Sequence, residues 1–518
     1  MPIVGVESTS AGSANIPPNK SINGVSRVTI EDVSLPEFSK DAILQMPELN
    51  LSDKEKESKI REWMKSIFLT DEDVELIRKA FLEEIERGLE KTPEQKSSLQ
   101  MENTFLPELP DGTDEFGNAV TEKDGVYLAL DLGGTNFRVI LLRMRKGEII
   151  AQKVDYFHVP EAVRLGSGEQ LFDFLAACIE EFVVAEKVSQ EILPLGFCFS
   201  FPMHHAGLNI GILASWTKSF NCSGVIGKDV VKMLNTALHK KNIHVDVIAV
   251  LNDTTGTLVA GAQKDHDCAI GLIMGTGCNA CYLEKVSRIG KWEGPHYDEN
   301  EVVVDIEWGA FGDNGCIEFL KTKFDKEVDK QSLLAGTFTF EKYISGKYIG
   351  EIVRHVMIDL AEEGPFFGNH ASERLLQFGS FTAKHVSTIE GETLSGGTDK
   401  IREVMSEMDL IYDKDDLRAL QYICAVVSLR AAQLVAICVG YLLTRMNKPT
   451  ATIAVDGSLY KNHPRLKGLM DHYTAVYAPG CKFQYMLALD GSGKGAGMVA
   501  AIAKRLTEKR TKSESDPN

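Results

Sequence analysis

Two segments of this sequence repeat one pattern, a β-rich run, a tight glycine turn and a second β-rich run. Residues 126–145, VYLALDLGGTNFRVILLRMR, turn at Gly133-Gly134-Thr135, and residues 269–284, AIGLIMGTGCNACYLE, turn at Gly275-Thr276-Gly277. Runs of this kind joined by a short glycine turn read as hairpins. The second copy predicts an internally duplicated α/β fold with one hairpin from each half facing a common cleft. Around the hairpins the period changes to helical. Thr70 before Asp71, Glu72 and Asp73 marks a helix start, and Val74, Ile77, Phe81 and Ile85 follow at helical spacing. Helical patterns fill much of 310–445, including IREVMSEMDL and the run from Leu417 to Arg445. A strand and turn follow at IAVDGSLYK, and LALDGSGKGAGMVAAIAKRL closes the pattern with a glycine-rich turn feeding a helix.

Charge narrows the partners. The 56 Lys and Arg against 74 Asp and Glu leave a net −18, which argues against nucleic acid and anionic membrane as main partners. Ten scattered cysteines form no disulfide framework, and no N-terminal segment combines basic residues, an apolar core and a cleavage site, so a reducing, cytoplasmic setting is expected. The most apolar stretch, Ala431 to Leu443, is shorter than the ~20 residues a membrane helix needs and contains Gln433, so it reads as a buried helix and no integral membrane segment is expected. Residues 1–50 read as a mobile N-terminal tail, rich in Ser, Asn, Gly and Pro up to about Lys40, with order beginning near Leu51.

Glycine turns between strands expose backbone N–H groups, and a neighbouring Thr adds a hydroxyl, so DLGGT and GTG suit phosphate oxygens. DGS at Asp456 to Ser458 makes a third such turn, and no GxxxxGK[ST] loop occurs. Asp131, at a strand end, can hold a hydrated Mg²⁺ against phosphates. Asp253 follows the apolar run VDVIAVL in LNDTTGTL, and from the residues alone it is either a general base or a helix-capping carboxylate. Cys278 and Cys281 form a CxxC without a second pair, His204-His205 lacks a spaced third ligand and reads as loop, and the charged EKRTKSESD near the C-terminus reads as a solvated tail.

Together DLGGTNFR (131–138), LGFCFSFP (195–202), SWTKSF (215–220), LNDTTGTL (251–258), GTGCNACY (275–282), EWGAFGD (307–313) and DGSLYKNHP (456–464) resemble the eukaryotic hexokinase family in its single-unit form, in order and spacing over about 55–505. The resemblance implies a two-lobed, ribonuclease-H-like fold of the actin and sugar-kinase type with the site between the lobes. On that reading 125–250 plus 488–508 form the small lobe, and 51–124 plus 251–487 the large one. It implies phosphoryl transfer from ATP, with Mg²⁺, to glucose and other hexoses, yielding ADP. Asp253 would be the base and Lys218 the charge partner of the transferring group. Ser200, Phe201, Thr217, Lys218, Asn252, Asp253, Asn279, Glu307 and Glu341 would surround the sugar. Asp131, Leu132, Gly133, Gly134, Thr135 and Asn136, with Thr276, Gly346, Lys347, Ser387, Asp456, Gly457, Ser458 and Lys461, would take the nucleotide, Asp131 holding the metal through water. Ala383 stands where many relatives have Thr, which removes one side-chain hydrogen bond from that surface. Two rival readings remain, a glucose sensor without useful turnover and an actin- or chaperone-like ATPase. The second has no use for SWTKSF or the sugar-facing glutamates.

Overall fold

Both sequence hairpins form, and each seeds a mixed sheet with one and the same strand order. The computed structural model describes residues 38–106, 109–110, 125–134, 136–145, 148–190, 192–217, 220–292 and 301–515. In the first sheet the order is Glu148–His158, Asn136–Arg145, Gly125–Leu132, Leu193–Phe199, Val245–Leu251. The first two pairings are antiparallel and the last two parallel. In the second sheet the order is Glu301–Asp305, Cys278–Lys285, Cys268–Met274, Ala451–Asp456, Phe483–Leu487, with the same directions and a short extra strand, Glu102–Asn103, beyond Glu301–Asp305. Leu193–Phe199 is buried along its whole length, as expected of a parallel strand covered on both faces.

The duplication is sealed by an exchange of helices. Asp253–Ala262, which follows the last strand of the first sheet, packs on the second sheet, while Gly491–Ser515, which follows the last strand of the second, packs on the first. The two helices cross in contact with each other. The crossing requires glycine: a Cβ on Gly495 would lie 1.9 Å from the carbonyl oxygen of Gly256, and one on Gly256 would lie 2.5 Å from that of Ser492.

The helix Asp71–Leu89 begins at Thr70 with a capping box to Asp73 and buries Ile77, Phe81 and Ile85. Lys414–Met446 runs 33 residues through the core under the second sheet. By length and hydropathy it could cross a membrane, yet 94% of its most apolar window is buried inside the molecule, so it is a core helix. A capping box between Asp413 and Asp416 starts it, and Asn447 ends it in the left-handed region at φ 50°. Arg430, deep in this helix, is held bidentately by Asp325 at 2.9 and 2.7 Å.

Three expectations change. Order begins by Phe38, ahead of the expected end of the tail at residue 50; residues 1–37 lie outside the described residues. The short helix Lys40–Leu44 is retained because Arg465, itself fully buried, needs acceptors and finds the carbonyls of Ile43 at 2.8 Å and Gln45 at 3.0 Å. His204 and His205 lie on a strand, Met203–Gly207, paired with Ile210–Leu213. The charged run at 508–516 continues the last helix as far as Ser515, in keeping with its Glu, Lys and Arg content. Because no side chain fits at the helix crossing, Gly495→Val is expected to cost at least about 2 kcal/mol. Urea denaturation checks it, and a midpoint equal to the parent's would mean the crossing yields.

Candidate active site

One pocket between the two sheets is lined by Ser200, Phe201, Thr217, Asn252, Asp253, Asn279, Glu307 and Glu341, with Pro202, Gly309 and Phe338. All the sugar-side residues expected from sequence therefore meet, except Lys218, which lies outside the described residues. Asn252 and Asp253 arrive there because the buried strand Val245–Leu251 ends at the pocket and turns straight into a helix. Asn252 is the helix N-cap and Asp253 its first residue. The Asn252 Oδ1 accepts from the backbone N–H of Thr254 at 2.9 Å and its hydroxyl at 3.0 Å, while Nδ2 donates to Glu307 at 3.0 Å. The capping role and a role in the pocket thus coexist in neighbouring residues.

Glu307 occupies the left-handed region at φ 54°. That conformation costs a non-glycine residue roughly 1–2 kcal/mol, and here it accompanies a carboxylate that lines the pocket. Glu341 reaches the pocket from the helix Thr339–Ile344, and its Oε2 accepts from the Cys278 N–H at 3.3 Å. That helix is fixed by Asp313, which accepts from the N–H groups of Phe338 at 2.9 Å and Thr339 at 2.8 Å. Phe201 belongs to an aromatic cluster with Phe199, Trp216 and Phe220 that floors the first-sheet side.

A larger groove adjoins, lined by Thr276, Gly346, Lys347, Ser387, Asp456, Gly457, Ser458 and Lys461 among others. Eight of the expected nucleotide-side residues converge on it. One part of it is bare backbone, where Gly275, Gly346 and Gly457 crowd together. A Cβ on Gly346 would lie 2.6 Å from the Gly275 carbonyl oxygen, and one on Gly457, at φ 119°, would lie 2.3 Å from that of Met274. Backbone bonds from Gly346 to Gly275 and from Lys347 to Thr276, at 2.9 and 3.1 Å, hold the two segments together. Burial lowers the Lys347 pKa, with Glu341 opposing. Ala383 opens the helix Ala383–Leu394, whose residues 383, 387 and 391 all line the groove.

The turn after Asp131 reaches this groove indirectly. Residues 131–134 and 136 are absent from its lining, and Thr135 lies outside the described residues. Leu132 has its side chain in the hydrophobic core and its carbonyl bonded to the Ser200 N–H at 3.2 Å, and Asn136 pairs with His158 at 3.0 Å. Arg138, directly across the hairpin from Asp131, makes the link. It donates to Asp131 Oδ2 through Nε at 2.9 Å and Nη2 at 2.6 Å, to Ser492 at 2.8 Å, and through Nη1 to Asp490, which lines the groove. Burial pushes the Asp456 carboxyl up, and Arg138 opposes that rise.

Asp490 and Ser492 fall within DGSGKG at 490–495, which the sequence reading expects to complete the phosphate side where the last helix begins; the residues it missed are Arg138, Asp305 and Asp313. Arg138 was legible, since hairpin register places it opposite Asp131; the others become visible only when the chain folds. Cys278 and Cys281 are buried, with burial pushing their thiols up, and among the described residues no group of three or more His, Cys, Asp or Glu could hold a metal ion.

Two duplicated mixed sheets, a carboxylate- and amide-lined pocket between them and a glycine-backed groove beside it define the α/β sugar-kinase class of fold. Two family models described as hexokinase match residues 59–263 and 269–502. The chain belongs to the hexokinase family. Human hexokinase-2 is 40% identical over 461 residues, covering 87% of this chain and 48% of that protein, and mouse hexokinase-1 is 38% identical over 467 residues, covering 88% and 46%. The chain thus spans about half the length of the curated relatives it matches. The structure of a hexokinase from Schistosoma mansoni complexed with glucose is 35% identical, with a TM-score of 0.79, covering 87% of this chain and 100% of that one.

Arg138→Met would strand a buried carboxylate at Asp131. A loss of about 3–5 kcal/mol is expected in urea denaturation; an unchanged stability would show that the clamp contributes nothing to the fold.

Proposed function

We propose that the chain transfers the γ-phosphoryl of Mg·ATP to the 6-hydroxyl of glucose and related hexoses, the first step of glycolysis. The observation that carries this reading is the convergence of Asp253, Asn252, Asn279, Glu307 and Glu341 in one pocket beside a groove backed by bare glycine. A hexose offers hydroxyls on every side and needs donors and acceptors from several segments. The Schistosoma relative, whose structure contains glucose, shares this fold at 35% identity.

In this mechanism Asp253, placed at the first turn of its helix, takes the proton of the attacking hydroxyl, a contribution of about 10²- to 10⁴-fold. Lys218 offsets charge on the transferring group. The N–H groups of Gly275, Gly346 and Gly457 are committed within the protein, so the neighbouring backbone N–H groups of Thr276 and Ser458, with the Thr276 hydroxyl, receive phosphate oxygens over the bare glycine surface. Mg²⁺, arriving with the nucleotide, supplies charge neutralisation between the phosphates. Asp131 suits an outer role toward it, since its Oδ2 is committed to Arg138 and Ser492 and leaves Oδ1 to accept from a metal-bound water. Ala383 withholds one hydroxyl from the nucleotide, and Ser387 on the same helix face remains.

Water competes with the sugar as acceptor, so closure of the two lobes over the hexose is part of the proposal. The moving bodies in this proposal are 125–250 plus 488–508, and 51–124 plus 251–487. Ten free cysteines suit a cytoplasmic location.

A coupled assay of glucose 6-phosphate formation tests the activity. The parent should turn over and Asp253→Ala should lose at least ~10²-fold. Glucose binding without turnover in the parent would replace the enzyme with a sensor, and glucose-independent ATP hydrolysis would favour an ATPase. Small-angle scattering should show a smaller radius of gyration with glucose; an unchanged radius argues against closure.

A further inference from the structure

Asp305 ends the strand Glu301–Asp305 beneath the sugar-side pocket and is 4% exposed. Its Oδ1 accepts from Asn279 Nδ2 at 2.8 Å and from the Thr254 hydroxyl at 3.4 Å. Asn279 is held at its other end too, where Oδ1 accepts from the backbone N–H of Ala280 at 2.7 Å and of Trp308 at 3.3 Å. A carboxylate only accepts and a backbone N–H only donates, so the two ends of this amide cannot exchange. One N–H of Asn279 is committed to Asp305, and the other is left for a ligand in the pocket.

Asn252 has the same polarity. Its Oδ1 is taken by Thr254 and one N–H by Glu307, again leaving an N–H. The one proton of the Thr254 hydroxyl serves the nearer acceptor, Asn252 Oδ1 at 3.0 Å, with Asp305 Oδ1 at 3.4 Å beyond it.

We propose that Asp305 is a positioning residue for the sugar, fixing Asn279 so that its amide presents an N–H donor to a hexose oxygen beside that of Asn252. The proposal rests on the hexose reading above. Glu341 then supplies an acceptor, and the pocket carries a fixed pattern of donors and acceptors. Such a pattern discriminates by hydroxyl orientation, because a mismatched hydroxyl leaves a buried polar group unpaired.

The ionised form of Asp305 is the one the pattern needs, since a protonated carboxyl is itself a donor. Burial pushes Asp305 up to about 7; hydrogen bonds to Asn279 and Glu307 pull it down, while Asp253 and Glu102 add to the rise. The groups facing it are Asp253 and Thr254 from the helix, Asn279 and Cys281 from the adjacent strand, Glu102 from the edge strand and Glu307 from its own loop. Its pKa is raised, so the ionised acceptor is complete above that value and is lost as pH falls through it. Sugar affinity should fall in the same direction.

Calorimetry with glucose on the full chain tests this, with a non-hydrolysable ATP analogue as the second ligand. Asp305→Ala removes the acceptor and should weaken glucose binding at least about tenfold, with nucleotide affinity and melting temperature near the parent's. Asp305→Asn keeps an acceptor oxygen and cannot ionise; it should bind glucose and lose the parent's pH dependence between about pH 6 and 8. Parental glucose affinity in Asp305→Ala, a joint loss of both ligands, or a parental pH slope in Asp305→Asn would each overturn the proposal. A parent that binds no glucose would bring down the hexose reading and this proposal with it.

Discussion

The contact on which the rest depends is the close passage of two helix backbones, Asp253–Ala262 and Gly491–Ser515, at Gly256 and Gly495. Each helix begins at the site and packs on the sheet of the other half. Asp253 starts one, and the turn with Asp490 and Ser492 starts the other, so their separation at the crossing sets the spacing of the pocket from the clamp around Arg138. Other glycines repeat the device. A Cβ on Gly196 would lie 1.9 Å from the Ala496 carbonyl oxygen, and one on Gly271 would lie 2.2 Å from that of Thr254, so each helix also lies directly on strand backbone. Close-packed interiors transmit such constraints because they have little slack.

Polarity at the site follows from this placement. Three carboxylates at the pocket are each tied to a distinct donor: Glu307 to Asn252, Glu341 to the Cys278 N–H and Asp305 to Asn279. Asp131 is tied to a guanidinium instead. The pocket is therefore ordered by neutral amides and the region around Asp131 by a charge clamp. That division matches the ligands proposed for each, hydroxyls on one side and phosphoryl groups on the other.

Much of this was legible in the sequence, for identifiable reasons. The paired hairpins, the helix from Thr70 and the buried run at 431–443 all rest on local period and turn chemistry, which a single chain reveals. The sugar-side residues were legible as a set because the motifs that carry them stand in the order of a known family. What could not be read is pairing at long range. Asp305 ends a short apolar run and looks like any strand-end carboxylate until the strand Cys278–Lys285 lies beside it. Arg465 looks like a surface cation until Glu390 and the carbonyls of Ile43 and Gln45 enclose it, which is also why the ordered chain starts earlier than composition indicated. The Asp131 turn was assigned to nucleotide as a whole, whereas Leu132 in it serves the core.

The exchanged helices also bear on how such a chain is made. Strands 125–251 emerge early from synthesis, but the helix that covers their inner face is the last element of the described chain. The apolar helix Lys414–Met446 likewise awaits the helix Leu466–Tyr477 packed beside it. Neither half of the duplication is completed by its own sequence. Folding of both must therefore wait until residues 491–515 have been synthesised, leaving the first sheet exposed to chaperones and to misassociation while the intervening chain is made.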